Sequence, residues 1–253
     1  LSQPQRPDEL QATDGEREFH AVQTATQTVG AIEHHLSNDV SLRIEAFDKR
    51  MGSVQPGYEN VLDPVTLLPE IEVDRVRVAP LSSRAYGAEL SMRWEPRRTW
   101  SAWLSYSWSE VTDRFADSRA LRTWDQRHAA VTGVSWTRGS WQLSGNAIWH
   151  NGWRQNSLVV EAAPGGGARL VLAPRNADSW ADYFSFDARA SWQRALPVGA
   201  LQVYAELSNA TDHANLCCTG YRIAVPGDPA SLTSERSTWL PRYGLLGVTW
   251  LLP

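Results

Sequence analysis

Cysteine is nearly absent: only Cys217 and Cys218 occur in 253 residues, side by side. Adjacent cysteines exclude a disulfide framework and the spaced ligand pairs of a zinc site. Lysine is scarce too, because the 24 basic residues are almost all arginine, scattered singly, and the formal net charge is −4. That balance offers no footprint for nucleic acid. Long apolar runs are missing as well. Nothing approaches the ~18 consecutive apolar residues of a membrane-spanning helix, and the opening "LSQPQRPDEL" has neither the basic start nor the apolar centre of a signal peptide. If this chain meets a membrane, it has to cross with strands.

Tryptophan, by contrast, is abundant, with 13 copies. The ring is apolar and its indole N–H seeks water, so tryptophan suits interfaces. In "RTWSAWLSYSWSEV", residues 98–111, Trp100, Ala102, Leu104, Tyr106 and Trp108 share one parity, and Ser101, Trp103, Ser105, Ser107 and Ser109 the other. Period two predicts a strand with one apolar and one wet face.

The same alternation recurs in pairs of segments joined by short turns. Residues 25–36 turn through Ser37, Asn38 and Asp39 into 40–51, and 84–95 turn through "EPRR" into the run above. "HAAVTGVSW" turns at 137–140 into "WQLSGNAIW", and residues 183–196 turn through Pro197, Val198 and Gly199 into "ALQVYAELSNATD". A last segment, Tyr243 to Leu252, has no successor. These are hairpin signals, about nine strands in all, without a convincing helical period. Their other ends are joined by long irregular connections at 52–82, 116–126, 157–182 and 214–238. Tight turns on one side and long loops on the other is the asymmetry of an outer-membrane barrel.

Charge tests that reading, since a charge facing lipid at mid-bilayer costs ~2–4 kcal/mol. One parity reads Val40, Leu42, Ile44, Ala46; Tyr86, Ala88, Leu90, Met92, Trp94; Trp141, Leu143, Gly145, Ala147, Trp149; Phe184, Phe186, Ala188, Ala190, Trp192; and Leu201, Val203, Ala205, Leu207. Arg43, Glu45, Glu89, Arg93, Asp187, Arg189 and Glu206 lie on the other. The tryptophans sort by height. Trp94, Trp100, Trp136, Trp141, Trp192 and Trp250 flank the turns or lie near the C-terminus, and Trp108 and Trp149 stand at the loop ends. Two aromatic girdles at the membrane surfaces account for both rows, whereas a soluble Trp-rich sheet accounts only for the alternation.

Several segments resemble the C-terminal part of a TonB-dependent outer-membrane receptor: "QRPDEL", "VSLRIEAFDKR", "YENVLDP", "RAYGAELSMRWEP", "TWDQRHAAVTGVSW", "VYAELSNATDHAN" and "LPRYGLLGVTW". The resemblance covers most of the chain and rests on their order and spacing. It implies an all-β, antiparallel transmembrane barrel of 22 strands around an N-terminal plug, of which residues 1–253 form about nine wall strands. It also implies outer-membrane lipid, a nutrient ligand such as an iron chelate, and a TonB energy-coupling complex reached through the plug as partners. The fragment would leave two open strand edges. After Trp250 the chain adds Leu251, Leu252 and Pro253, where such barrels usually finish on an aromatic residue.

Transport needs no catalytic group, and neither catalysis nor a cofactor or metal is expected. His34 and His35 are adjacent on a strand and point to opposite faces, as do Asp125 and His128 in "TWDQRH". "PGGGAR" at 164–169 lacks the Lys-Ser/Thr of a phosphate loop. Cys217 and Cys218 fall in the last long loop and are candidates for a strained vicinal disulfide or a soft-metal contact with His213, with inert thiols as the alternative. Ligand contacts are expected from Tyr58, Glu59, Trp124, Arg127, His128, Trp153, Arg154, Trp180, Tyr183, Tyr221 and Arg222 in the loops and upper lumen. Aromatic and arginine side chains there suit a bulky, polar or anionic cargo. Other function classes are a passive porin-like barrel and a soluble carbohydrate-binding β-domain.

Overall fold

The computed structural model describes residues 2–3, 19–62, 74–97 and 99–252. The segment "QRPDEL", the end of "YENVLDP" and Arg98 of the second turn lie outside the described residues. Nine long strands form one antiparallel sheet in chain order: β1 (Gln23–Ser37), β2 (Val40–Gly52), β3 (Ser82–Arg97), β4 (Trp100–Arg114), β5 (His128–Arg138), β6 (Trp141–His150), β7 (Tyr183–Ala195), β8 (Ala200–Ser208) and β9 (Tyr243–Leu251). Ser2–Gln3 pairs with β1, and Arg119–Leu121 pairs with the end of β4. The strand order is a path with two ends, so among the described residues the sheet is an open wall.

The tight turns fall where turn chemistry predicts. Asn38 and Asp39 join β1 to β2, and Gly139 adopts φ 60° between β5 and β6. Gly199, between β7 and β8, has φ 82°, and a Cβ there would strike the Leu251 carbonyl oxygen. Glycine alone tolerates both constraints. Trp250 then donates from Nε1 to the Val198 carbonyl at 3.1 Å, fastening the end of β9 to that turn.

The register holds parity constant across the sheet. Leu42 faces Met92, which faces Leu104; Leu143 faces Ala190; Ala205 faces Leu246. Eight of the tryptophans lie on this apolar face in two rows. Near the turns stand Trp94, Trp100, Trp136, Trp141, Trp192 and Trp250, with the Trp100 and Trp136 rings 6.3 Å apart. Near the loops, Trp108 meets Tyr86 edge-on at 5.8 Å and Trp149 lies opposite Phe184. On the polar face Arg43 pairs with Glu45 at 2.6 Å, and Arg189 with Glu206. The Trp103 indole also lies there, flat over Gly133, where a Cβ would come within 2.5 Å of Nε1.

The resulting distribution is inside out. Ile32, Val248 and Leu246 are 75%, 70% and 83% exposed, while Ser83, Asp113, Asn176 and Asn215 are buried. Among the described residues the only buried apolar side chains are Val78, Pro80, Trp180 and Cys217. A water-soluble sheet would reverse this assignment.

One sequence expectation needs correction: the apolar face does not stay free of charge to its upper end. Asp48, Arg50, Arg84 and Glu110 share the parity of Leu42 but lie beyond Trp108. Strand length explains them. β3 has 16 residues, about 50 Å at ~3.3 Å per residue. An apolar band ~25 Å tall crossed at ~45° occupies only about 35 Å of strand. On the expectation that this face meets lipid, the remainder would project clear of such a band, where charge is solvated.

The long connections are not irregular throughout. They carry small hairpins: Gly57–Asn60 with Arg75–Val78, Arg154–Gln155 with Asp178–Ser179, Leu158–Ala162 with Ala168–Leu172, and Leu216–Ile223 with Leu232–Thr238. "PGGGAR" forms the tip of the third, where Gly165, Gly166 and Gly167 all have positive φ.

Candidate ligand-binding site

At the loop end of the polar face lies a cavity of about 500 Å³. Its floor comes from the wall, through Ile148 and His150 of β6, Ser185 and Asp187 of β7, and Ser208 of β8. Its sides come from Trp153, Asn215, Trp239 and Tyr243. His150 faces Tyr183 across the β6–β7 ladder, and the two rings stack at 4.9 Å with 3° between their planes. The other side of the stack is Trp153, 5.3 Å from His150 and tilted by 17°. Trp124 meets Trp153 edge-on at 4.5 Å, and Trp180 lies 6.0 Å from it. Cross-strand pairing sets the His150–Tyr183 spacing. The connection after β6 then folds Trp153 back onto the stack.

That fold-back needs Gly152, whose Cβ would collide with the Trp180 carbonyl oxygen. Trp180 is buried, and its Nε1 donates to Gln155 Oε1. On the opposite side the amide of Asn215 replaces a missing strand. Its Oδ1 accepts from the Phe184 N–H and its Nδ2 donates to the Phe184 carbonyl, each at 2.8 Å. β8 has already ended at Ser208, so Phe184 has no β8 partner. Asp187 accepts at Oδ1 from the Asn209 backbone N–H at 2.8 Å. Asn209 takes φ 46°, a left-handed position that asparagine accepts more readily than most residues.

A second cluster locks three connections together. Glu59 accepts from Thr123 Oγ1 at 2.8 Å and pairs with Arg175. Asn176 donates to the Leu121 carbonyl at 2.8 Å and accepts nothing at its buried Oδ1, while its backbone N–H donates to Asn156 Oδ1 at 3.0 Å. Asn156 in turn reaches the Val61 carbonyl at 3.2 Å. Beside them Asp125 Oδ1 accepts from the Val111 N–H at 2.6 Å, and its Oδ2 is buried without a partner. Burial therefore pushes the Asp125 carboxyl above the usual range, against the Val111 bond and the attraction of Arg127 and Arg154. The Arg122 guanidinium is pushed up by its hydrogen bond to Asp113.

The expected contact residues divide accordingly. Trp124, Trp153, Trp180 and Tyr183 come together in the ring cluster; Glu59 belongs to the lock; and Arg75 stacks over the Tyr58 ring at 5.5 Å. Arg127 is held by Glu110 at 2.8 Å, and Arg154 lies in the hairpin below Trp180. Tyr221 and Arg222 are in the last hairpin, outside the cavity. His128 is a correction to the rim-or-lumen expectation: it faces Trp108, so it belongs to the apolar face. There its Nδ1 lies 2.6 Å from the Tyr106 hydroxyl and its ring stacks on Trp149 at 6.5 Å.

The cysteines also differ from the vicinal-disulfide expectation, because both are thiols. Cys217 is the buried extra residue of a bulge, and Cys218 pairs with Ser237 and is half-buried. His213 Nδ1 is engaged 2.9 Å from Asn215 Oδ1. Among the described residues no cluster of three His, Cys, Asp or Glu side chains is placed to hold a metal. Sequence reasoning missed His150, Asp187, Asn209, Asn215 and Trp239 as lining residues. The polar parity of His150 and Asp187 close to a strand's loop end was the available signal.

No protein-family model matches the chain, and no curated protein sequence matches it significantly. Solved structures do. The FrpB iron transporter from Neisseria meningitidis aligns at 13% identity over 98% of this chain and 35% of its own, with TM-score 0.57. For BauA, the ferric preacinetobactin receptor from Acinetobacter baumannii, the values are 16%, 92%, 30% and 0.56. For the ferripyoverdine receptor of the Pseudomonas aeruginosa outer membrane they are 15%, 92%, 28% and 0.55. The chain thus spans about a third of the length of the structures it matches. At such identities the likeness is one of fold: these residues form an antiparallel β-wall like a part of those outer-membrane structures.

Proposed function

We propose that the chain is the C-terminal part of the barrel wall of an outer-membrane receptor that takes up a nutrient, an iron chelate being the leading class. In this reading the apolar face meets lipid, and the mouth cavity contributes to ligand capture. Transport is energised by a TonB complex acting through an N-terminal plug, and no bond of the cargo is made or broken. The observation that carries the reading is the cavity: stacked His150, Tyr183 and Trp153 at the mouth of a wall whose loops are hydrogen-bonded into fixed positions. Preorganised aromatic planes bind a bulky ligand with little ordering cost. A passive pore has no need of such a platform.

The test uses the full-length parent in detergent. A panel of ferric hydroxamate and ferric catecholate chelates is titrated against intrinsic tryptophan fluorescence, and radiolabelled iron uptake is followed in cells. Trp153→Ala is expected to weaken binding about tenfold or more, the loss typical of a central aromatic contact. Unchanged affinity in Trp153→Ala and Tyr183→Ala removes the cavity from ligand capture. Uptake indifferent to collapse of the proton-motive force marks a passive pore instead.

A further inference from the structure

The charged upper end of the apolar face is organised in rows. The last aromatic row runs Ala88–Trp108–His128, and above it lie Asp48, Tyr86 and Glu110. The next row holds Arg50, Arg84, Thr112 and Leu121, and the row after that Ser82, Arg114 and Arg119. Arg50, Arg84, Arg114 and Arg119 line a single shallow concavity of about 440 Å³. No carboxylate lines it. Asp48 lies below and takes Arg84 and Arg50 at 2.9 Å each, while Glu110 takes Arg127 at 2.8 Å and Arg119 only at 3.9 Å. Among the described residues Arg114 has no carboxylate partner, and its side chain is exposed. Five guanidiniums thus face two carboxylates on a chain whose overall charge is negative. The Arg84 guanidinium also lies 4.8 Å over the Tyr86 ring, so cation and aromatic row are continuous.

We propose that this arginine concavity binds the phosphate groups of a phosphorylated lipid headgroup in the outer leaflet. The inference rests on the reading that the apolar face meets lipid. Aromatic rings mark the boundary of the hydrocarbon, the uppermost of them being Tyr86, and the two arginine rows stand one and two rows above it. At two residues per row and ~3.3 Å per residue along strands tilted by ~45° that is about 5–9 Å, the height of headgroup phosphates. Arginine matches phosphate with paired N–H donors, and basic pockets on the flank of a membrane protein bind anionic headgroups. Ligand capture does not account for these side chains, because they point to the opposite face from the cavity lined by His150 and Tyr183.

The experiment uses the full-length parent and an Arg114→Gln/Arg119→Gln variant, which spares the Arg84–Asp48 pair. Mixed micelles carry either a bisphosphorylated glycolipid or its dephosphorylated form, and binding is read by native mass spectrometry. Heat-modifiable migration of each protein is scored alongside. Each arginine near an anionic surface is worth about a fivefold change in affinity, so the variant is expected to bind the phosphorylated lipid about twenty-five-fold more weakly. Both proteins should bind the dephosphorylated lipid alike. Equal binding of the two lipids by a heat-modifiable parent overturns this inference and leaves the barrel reading standing. Displacement by excess inorganic phosphate overturns the assignment to lipid in favour of a free-phosphate site. A parent that is not heat-modifiable overturns the membrane reading, and this one with it.

Discussion

The lower wall and the loop layer fold by opposite rules. From the turn-side tryptophans to Trp108 the wall exposes its apolar face, and local alternation decides every side chain's direction. The loop layer buries Asn156, Asn176, Asn209 and Asn215, and it is held by side chains reaching backbone groups far away in sequence. On the proposal that the apolar face meets lipid, the ladder hydrogen bonds are obligatory there and the wall needs no apolar interior to stay formed. In water at the mouth, hydrogen bonds compete with solvent and hold a loop chiefly where their groups are buried and matched, as Asn215 is at Phe184. The same chain therefore places leucine outside in one region and asparagine inside in the other.

The largest expected effect tests the wall. Leu104 faces Met92 and Thr132 on the apolar face, and Ser105 faces Ser91 and Val131 on the polar face. In the full-length parent Leu104→Arg puts a guanidinium at mid-height of the lipid face, costing ~2–4 kcal/mol. Much less heat-modifiable, membrane-inserted protein is expected than for Ser105→Arg. The reverse order would exchange the two faces, and harmless variants at both sites would remove the wall from the membrane.

A smaller loss is expected in the loop layer. Asn215→Ala removes both bonds to Phe184, leaving a backbone donor and acceptor that water at the mouth only partly satisfies, a loss of about 1–3 kcal/mol. Barrel assembly should be normal, while limited proteolysis within 209–242 accelerates. If Asn215→Ala abolishes assembly instead, the loop layer and the wall are one cooperative unit and the contrast between them collapses.

Legibility in the sequence follows the same division. Nine strands, four tight turns and the direction of Leu42, Met92, Leu143 and Ala205 were all readable, because period two is a local signal and each hairpin is closed within a few residues. Of the cavity, Trp153 and Tyr183 were readable as aromatic residues near loop ends. The lock was not, since Glu59 meets Arg175 across 116 positions and Asn156 meets Val61 across 95. No spacing rule connects such pairs. His128 was misplaced because parity was not carried through the strand entry, and the cysteines because adjacency says nothing about a bulge.

The smallest effect separates the two regions by charge and concerns Asp125, whose carboxyl is pushed up by burial beside the Val111 N–H. A carboxyl raised in the folded state binds more protons folded than unfolded, so the loop's stability is fully present below the unfolded value of about 3.9 and is lost as pH rises through the folded value. Mild acid should therefore tighten the 115–127 connection, slowing its proteolysis, while most paired carboxylates loosen. In Asp125→Asn the Oδ1 acceptor for Val111 is kept and the buried, partnerless oxygen becomes an amide nitrogen that carries no charge to desolvate. Its loop should be protease-resistant at neutral pH and insensitive to acid, provided the lost attraction of Arg127 and Arg154 is the lesser contribution. Proteolysis of parent and variant is compared between neutral pH and the range just above 4. If the parent's loop loosens on acidification and the Asn variant loosens equally, Asp125 is not the titrating group. If only the parent loosens, attraction to the two arginines outweighs burial, and the loop layer is held by charge rather than by matched neutral hydrogen bonds.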